Sequence, residues 1–219
     1  MMEIELKYSI PDKETAERIW QDQRLFEMSE VGSREKLPFK AAYFDTEDGV
    51  LSSNDIAFRV RLEGQRVVAS LKWNGKNKGP LHTREEINVP IDGANCLMTP
   101  DPEIFKESDT GKHMMELLTG KRLMSVMEVG FLRSRTRIDT GESIIEVSID
   151  IGEIITDNGS ESIRELELEL FSGKHDDLLR LGAELAERYP ITPETRSKYA
   201  RGLSLAGKIL VTLKLESDT

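Results

Sequence analysis

In the opening segment Glu3, Glu5 and Lys7 alternate with Ile4 and Leu6, and this period-two placement of charge against apolar side chains describes a β-strand with two chemically opposite faces. The arrangement returns at Arg59 and Arg61, at Arg84 and Glu86, at Arg133, Arg135 and Arg137, at Glu146, Ser148 and Asp150, and at Glu165, Glu167 and Glu169. A face turned to bulk water would carry a scatter of Thr, Ser, Lys and Gln. Here one strand carries only carboxylates and another only guanidinium groups, and segregation of that kind points to a site.

The alternation predicts strands near residues 2–9, 35–45, 55–63, 66–73, 82–90, 126–138, 143–156 and 161–171. About eight strands are enough to close a small barrel. Behind Pro11, the segment Asp12–Met28 reads as one helix whose stripe is Ala16, Ile19, Trp20, Leu25 and Phe26. Asp101–Leu118 reads as a less regular helix lying over one barrel wall. Leu178, Leu179, Leu181, Leu185 and Ala186 give a stronger helix over His175–Tyr189, stopped by Pro190, and a last helix starts at about Arg196. No composition shift suggests a linker, so a single domain is expected over residues 1–205, with 206–219 as a helix end and tail that frays over Glu216–Thr219.

With 219 residues, 38% hydrophobic and 32% charged, the chain can bury a full core while carrying an unusual load of charge. Its one cysteine, Cys96, excludes an internal disulfide framework and a cysteine-cluster zinc site, and reads as a small apolar filler in a protein of a reducing compartment, the cytoplasm. The chain opens directly on a strand, and no stretch approaches the ~18 apolar residues of a membrane span, so neither secretion nor membrane insertion is expected. A formal net charge of −10 argues against a general nucleic-acid coat and leaves room for a local basic cavity.

The parity opposite the charges is continuously apolar, at Ile4 and Leu6, Val60 and Leu62, Ile87 and Val89, and Leu166, Leu168 and Leu170. Helices with apolar stripes can cover that face, which turns the charged face inward. The expected fold is therefore α+β: an eight-stranded antiparallel closed barrel with a polar, charged interior and helices outside. An interior of this composition must be wet, because burying so many charges dry is prohibitive. Glu3, Glu5, Asp150, Glu165, Glu167 and Glu169 supply oxygen ligands of the kind Mg²⁺ takes. Lys7, Arg59, Arg61, Lys72, Arg84, Arg133 and Arg135 supply the complementary half, since guanidinium forks match phosphate oxygens. Together they describe a site for a metal-bound polyphosphate.

At these residues the chain resembles the CYTH superfamily, the triphosphate tunnel metalloenzymes, over essentially all its length to about Leu205. The resemblance rests on ExExK at Glu3, Glu5 and Lys7, on Tyr43-Phe44-Asp45-Thr46 followed by Leu51, and on Arg59-Val60-Arg61. It continues through Lys72, Arg84-Glu85-Glu86, Glu146 to Asp150 with Gly152, Glu165 to Leu170, Ser197-Lys198-Tyr199 and Arg201-Gly202-Leu203. Among its members it is most similar to bacterial inorganic triphosphatases. The resemblance implies a tunnel that binds triphosphate on its basic walls and one or two Mg²⁺ or Mn²⁺ ions on its glutamates. By it, Glu3, Glu5, Glu165 and Glu167 are the leading metal ligands, with Glu86, Asp150 and Glu169 behind them. Lys7, Arg59, Arg61, Lys72, Arg84, Arg133, Arg135 and Lys198 grip phosphate, and Glu5, Lys7, Arg59 and Glu167 are the catalytic core. The implied reaction is attack of a metal-oriented water on the terminal phosphorus, giving phosphate and pyrophosphate. Alternatives are thiamine or nucleoside triphosphate hydrolysis, cyclisation of ATP as in one adenylate cyclase class, and a module that binds polyphosphate without turning it over. The inward register of Arg133, Arg135 and Arg137 stays open, as does oligomeric state.

Other features carry less. His82, His113 and His175 lack metal-type spacing and are expected at the surface or at helix caps; Trp20 and Trp73 are assigned to packing. Lys76 and Lys78, in an Asn74–Pro80 loop, either draw anions to the tunnel mouth or form an ordinary exposed turn. There is no Walker A loop, GxSxG elbow or GxGxxG motif.

Overall fold

Strand β1 (Met2–Ser9) lies between two partners, and that double pairing closes the molecule on itself. A computed structural model describes residues 2–91 and 100–208. In chain order the elements are β1, α1 (Lys13–Trp20), α2 (Gln23–Met28), β2 (Glu35–Asp45), β3 (Ala57–Glu63), β4 (Arg66–Lys78), β5 (Leu81–Ile91), α3 (Asp109–Leu117), β6 (Met124–Asp139), β7 (Ser143–Thr156), β8 (Gly159–Gly173), α4 (His175–Arg188), β9 (Thr192–Pro193) and α5 (Lys198–Leu205). The sheet runs β5-β4-β3-β2-β6-β7-β8-β1, and β1 pairs back to β5, every pairing antiparallel. The result is the eight-stranded closed barrel expected, with a ninth, two-residue strand added beside Tyr8 and Ser9.

The apolar core lies outside the barrel wall. Ile19, Leu25, Leu178, Leu181 and Leu185 of α1, α2 and α4 pack on the outward Leu6, Val147, Ile149, Leu166 and Leu168. Each fully buried side chain of this size contributes roughly 1.5–3 kcal/mol. The α4 helix seats closely because of Gly182, where an added Cβ would meet Leu6 Cδ1 at 2.4 Å and Tyr8 Oη at 2.6 Å. On another wall Phe105, Met114 and Leu118 cover Phe58 and Leu71, as the 101–118 stripe implied, although the segment is a 3₁₀ turn over Pro102–Phe105 followed by α3. Asp45 explains the Tyr43–Thr46 and Leu51 motif: its buried carboxylate accepts from the backbone N–H groups of Thr46, Leu51 and Ser52 at 2.7, 2.8 and 3.0 Å, and so fixes the turn into β3.

Three expectations need correction. The single helix over residues 12–28 is two, because the buried Asp22 carboxylate accepts from Leu25 N at 3.0 Å and starts a new helix; Phe26, placed on the apolar stripe, is 58% exposed. The Asn74–Pro80 loop is mostly strand, since a bulge after Trp73, with Asn74 at φ 53°, lets β4 resume its ladder to Lys78. The last helix starts at Lys198, not Arg196, capped by Ser197, whose Oγ accepts from Ala200 N. Cys96 and the 216–219 tail lie outside the described residues. Among those that are described, no helix is long and apolar enough to cross a membrane.

Candidate active site

Period-two geometry turns one parity of every wall strand inward, and the pairing register decides which charges become neighbours. A cavity of about 930 Å³ fills the barrel. Across β6, β7, β8 and β1 the register aligns Arg135, Ser148, Glu167 and Lys7 in one row. On one side of it lie Glu146, Glu169 and Glu5; on the other lie Arg133, Asp150, Glu165 and Ser9. The opposite wall carries Arg59 and Arg61 on β3, Lys72 on β4, and Arg84 and Glu86 on β5.

Helix α5 packs across one end of the barrel. Tyr199 stacks on Tyr43 with ring centroids 5.1 Å apart, and Gly202 presses so close that an added Cβ would sit 2.2 Å from Met127 Sδ. The strap leading into it is tied down. Glu194 N donates to Lys7 O at 3.0 Å, Asn77 Nδ2 donates to Thr195 O at 2.8 Å, and His82 Nε2 lies 2.8 Å from Glu194 O. Lys198 thereby reaches the barrel interior, with Nζ at 2.9 Å from Asp150 Oδ2, 2.6 Å from Glu165 Oε2 and 2.8 Å from Glu167 Oε1. Arg201, one turn on, donates to Glu165 Oε1. Arg133 closes the far side, Nε and Nη2 forking onto the two Asp150 oxygens at 2.7 Å each, with Nη2 also 2.6 Å from Glu167 Oε2. Among the described residues, Asp150, Glu165 and Glu167 are the one carboxylate triad whose oxygens come within 4.8 Å of one another.

The protonation balance differs from place to place. Burial works against the charge of Glu167, yet Lys198, Lys7 and Arg133 outweigh it and hold the carboxyl well below its usual range. Lys198 is likewise buried, and Asp150, Glu165 and Glu167 keep its ammonium well above the usual lysine value. Glu169 is the opposite case: burial, then the carboxylates of Glu3, Glu5 and Glu146, push it up to about 8. No ion pair reaches it among the described residues, whereas Glu3 is held by Lys72 and Arg84 and Glu5 by Arg84 and Lys7. Across the cavity Arg61 is held down to about 10, by burial and then by Arg59. Glu169 is thus the carboxyl of this corner that its surroundings keep protonated, and on the facing wall the charge of Arg61 is disfavoured by Arg59 despite its pair with Glu63.

All the basic candidates, Lys7, Arg59, Arg61, Lys72, Arg84, Arg133, Arg135 and Lys198, line the cavity, as do Glu3, Glu5, Glu86, Glu167 and Glu169. Asp150 and Glu165 share their parity but lie behind the lining, fully buried. Arg133 and Arg135 point inward, whereas Arg137 sits at the exterior against Glu30 and the Phe171 ring. His82, expected at the surface or a helix cap, is 1% exposed and lies against the strap; burial and then Lys7 hold it below its ordinary value. Its parity with Arg84 and Glu86 was the available signal. Glu146 and Arg201 were in motifs without a role, and the stacked Phe39 and Phe131 pair was missed.

The CYTH domain family model matches residues 1–203. The chain belongs to the CYTH family. It is 31% identical over 175 residues to an inorganic triphosphatase of Haemophilus influenzae, a match covering 78% of this chain and 46% of that protein, so this CYTH chain spans about half the length of that relative. Among solved structures it resembles a proposed adenylyl cyclase from Hippeastrum with a dominant triphosphatase activity, at TM-score 0.65 and 22% identity, covering 95% of this chain and 98% of that one. A protein from Pyrococcus horikoshii matches at TM-score 0.54 and 20% identity, covering 92% and 98%. These two likenesses concern the CYTH tunnel fold.

Proposed function

We propose that this CYTH protein is a metal-dependent hydrolase that cleaves inorganic triphosphate to pyrophosphate and phosphate. The observation that carries the reading is geometric: basic and acidic side chains from β1, β3, β4, β5, β6, β7 and β8 converge on one cavity closed at an end by α5. The Haemophilus relative supports the choice of substrate.

The residues present fit a hard divalent cation. Glu3, Glu5, Glu146 and Glu169 offer only oxygen donors, and Glu169 has no ion-pair partner among the described residues, so these are the residues that would hold a Mg²⁺ or Mn²⁺ ion, which would supply the positive charge Glu169 lacks. When bound, such an ion neutralises phosphate oxygens and acidifies coordinated water. The chain's own groups do the positioning. Arg59 and Arg61 present guanidinium groups to the cavity, and Arg133, anchored through Nε and Nη2, lines it beside them. Lys7, bridging Glu5 at 3.3 Å and Glu167 at 3.1 Å, sits between the acidic row and the phosphate-binding wall and can stabilise charge on an equatorial oxygen. Water breaks the terminal phosphoanhydride bond, pyrophosphate leaves, and the proton of water goes to solvent.

Orthophosphate release with Mg²⁺ or Mn²⁺ tests this reading. The expected order of kcat/KM is triphosphate above thiamine triphosphate and ATP, with Glu167→Ala strongly impaired. Triphosphate left intact, or a Glu167→Ala variant as active as the parent, overturns it. Turnover of ATP or thiamine triphosphate above triphosphate moves the assignment to an organic substrate.

A further inference from the structure

We propose that Lys198 is a tethered counter-ion that fills the acidic triad under α5, so that the tunnel takes a divalent cation only in the Glu3, Glu5, Glu146 and Glu169 corner. Taken by itself the triad looks like the better metal site, because its oxygens are the most tightly gathered in the barrel. Gathered carboxylates repel one another, however, and compactness marks a cation already present. Here that cation is the Lys198 ammonium, whose three protons match its three acceptors on Asp150, Glu165 and Glu167.

Oxygen bookkeeping closes the triad. Asp150 Oδ1 meets Arg133 Nε, and Oδ2 meets Arg133 Nη2 and Lys198 Nζ. Glu165 Oε1 meets Arg201 Nη1 and Oε2 meets Lys198 Nζ. Glu167 Oε1 meets Lys198 and Lys7, and Oε2 meets Arg133. Every carboxylate oxygen has a cationic partner, and Asp150 and Glu165 are sealed from the cavity. A divalent ion drawn to the same oxygens would have to displace the ammonium. That means withdrawing α5, which is pinned at Gly202 against Met127, at Tyr199 on Tyr43 and through the His82 and Asn77 contacts to the strap. The remote corner is less completely matched: Glu3 meets Lys72 and Arg84, Glu5 meets Arg84 and Lys7, and Glu146 meets Arg135 at 3.9 Å, but Glu169, the direct cross-strand neighbour of Glu5 and Glu146, is without an ion pair among the described residues. Lys198 acts on the reaction as a positioning residue, by holding Glu167 in the Lys7 row and by keeping the metal in the remote corner.

The inference rests on the divalent-cation reading given above, and Mn²⁺ stoichiometry separates the two. Titration of the full chain with Mn²⁺ alone, followed by electron paramagnetic resonance and calorimetry, is expected to give one ion per chain without the line broadening of a coupled pair. Glu169→Gln is expected to weaken that site at least tenfold, whereas Asp150→Asn leaves the stoichiometry at one. Lys198→Ala is expected to bind a second ion, and Lys198→Arg to stay at one. Two ions in the parent, or loss of binding in Asp150→Asn with retention in Glu169→Gln, overturns the tethered counter-ion. Absence of any bound ion in the parent overturns the metal-dependent reading as well. If Lys198→Ala does not fold, the parent, Glu169→Gln and Asp150→Asn decide the matter.

Discussion

Two groups of carboxylates face the inside of this barrel, and they differ in what neutralises them. Under α5, Asp150, Glu165 and Glu167 are matched by Lys198, Arg133 and Arg201, charge for charge. Across the Lys7 row, Glu5, Glu146 and Glu169 share a register line, and Glu169 is pushed up to about 8 by burial and by its acidic neighbours. The functional group is a carboxylate in both. The difference is that helix α5 delivers cations to one group and none to the other, so the first belongs to the frame of the site and the second is prepared for something that arrives from solution.

Glu169→Gln gives the largest effect expected of that division. Removing the carboxylate that lacks a partner should lower kcat/KM for triphosphate by about 1000-fold, because a mispositioned metal loses both charge neutralisation and water activation, while melting in the absence of metal stays at or above the parent value. Activity within tenfold of the parent would put Glu169 among the structural acids and dissolve the comparison.

Asp150→Asn should do the reverse. Taking one partner from a buried ion-pair cluster costs about 3–5 kcal/mol, which for a chain of this size lowers the melting temperature by about 10 °C. Its activity, measured well below that melting point, should fall much less than that of Glu169→Gln. Equal loss of activity in the two variants at unchanged melting temperature would mean that both groups hold metal.

Much of this was legible in the chain and part was not, for reasons the two groups make plain. Alternation alone sets parity, and parity put Glu3, Glu5 and Lys7, and Arg59 and Arg61, inside a barrel, where they lie, while leaving open which of Arg133, Arg135 and Arg137 turn inward. Parity cannot rank positions along the axis. Asp150 and Glu146 have the same parity on β7, as Glu165 and Glu169 do on β8, yet only the pairing to β1 and the seat of α5 separate the members of each pair. Arg137 escaped for the same reason, being in phase with Arg135 but too near the strand end to stay inside. The break at Asp22 was readable as a helix cap and was overridden by the apolar stripe running past it.

The pH dependence of stability sharpens the comparison. A carboxyl near 4.5 in the unfolded chain and about 8 in the fold binds more protons when folded between those values, so stability is full below about pH 4.5 and drains away as pH rises toward 8. Without metal, the melting temperature should therefore fall by about 5 °C more over pH 5–8 in the parent than in Glu169→Gln. Saturating Mg²⁺ should restore most of that at pH 8, since a ligand held only by the folded state at 100 times its Kd adds about 2.7 kcal/mol. A parent profile parallel to that of Glu169→Gln would show that the corner is already neutralised.

The smallest effect tests the facing wall, where the same logic runs with the sign reversed. Arg61 is held down to about 10 by burial and by the neighbouring Arg59, and it pairs with Glu63 on its own strand. A guanidinium in that position is strained by like charge until an anion enters. Arg61→Gln should accordingly raise KM for triphosphate about tenfold, in line with the loss of one charge-assisted contact of roughly 1.5 kcal/mol, while kcat changes little. The free variant should melt no lower than the parent, because it has lost a repelled charge, and added triphosphate should raise its melting temperature less. Should Arg61→Gln instead melt several degrees lower with KM unchanged, Arg61 serves the barrel wall through Glu63, and the surplus of positive charge that receives the substrate narrows to Arg59, Arg133 and Lys7.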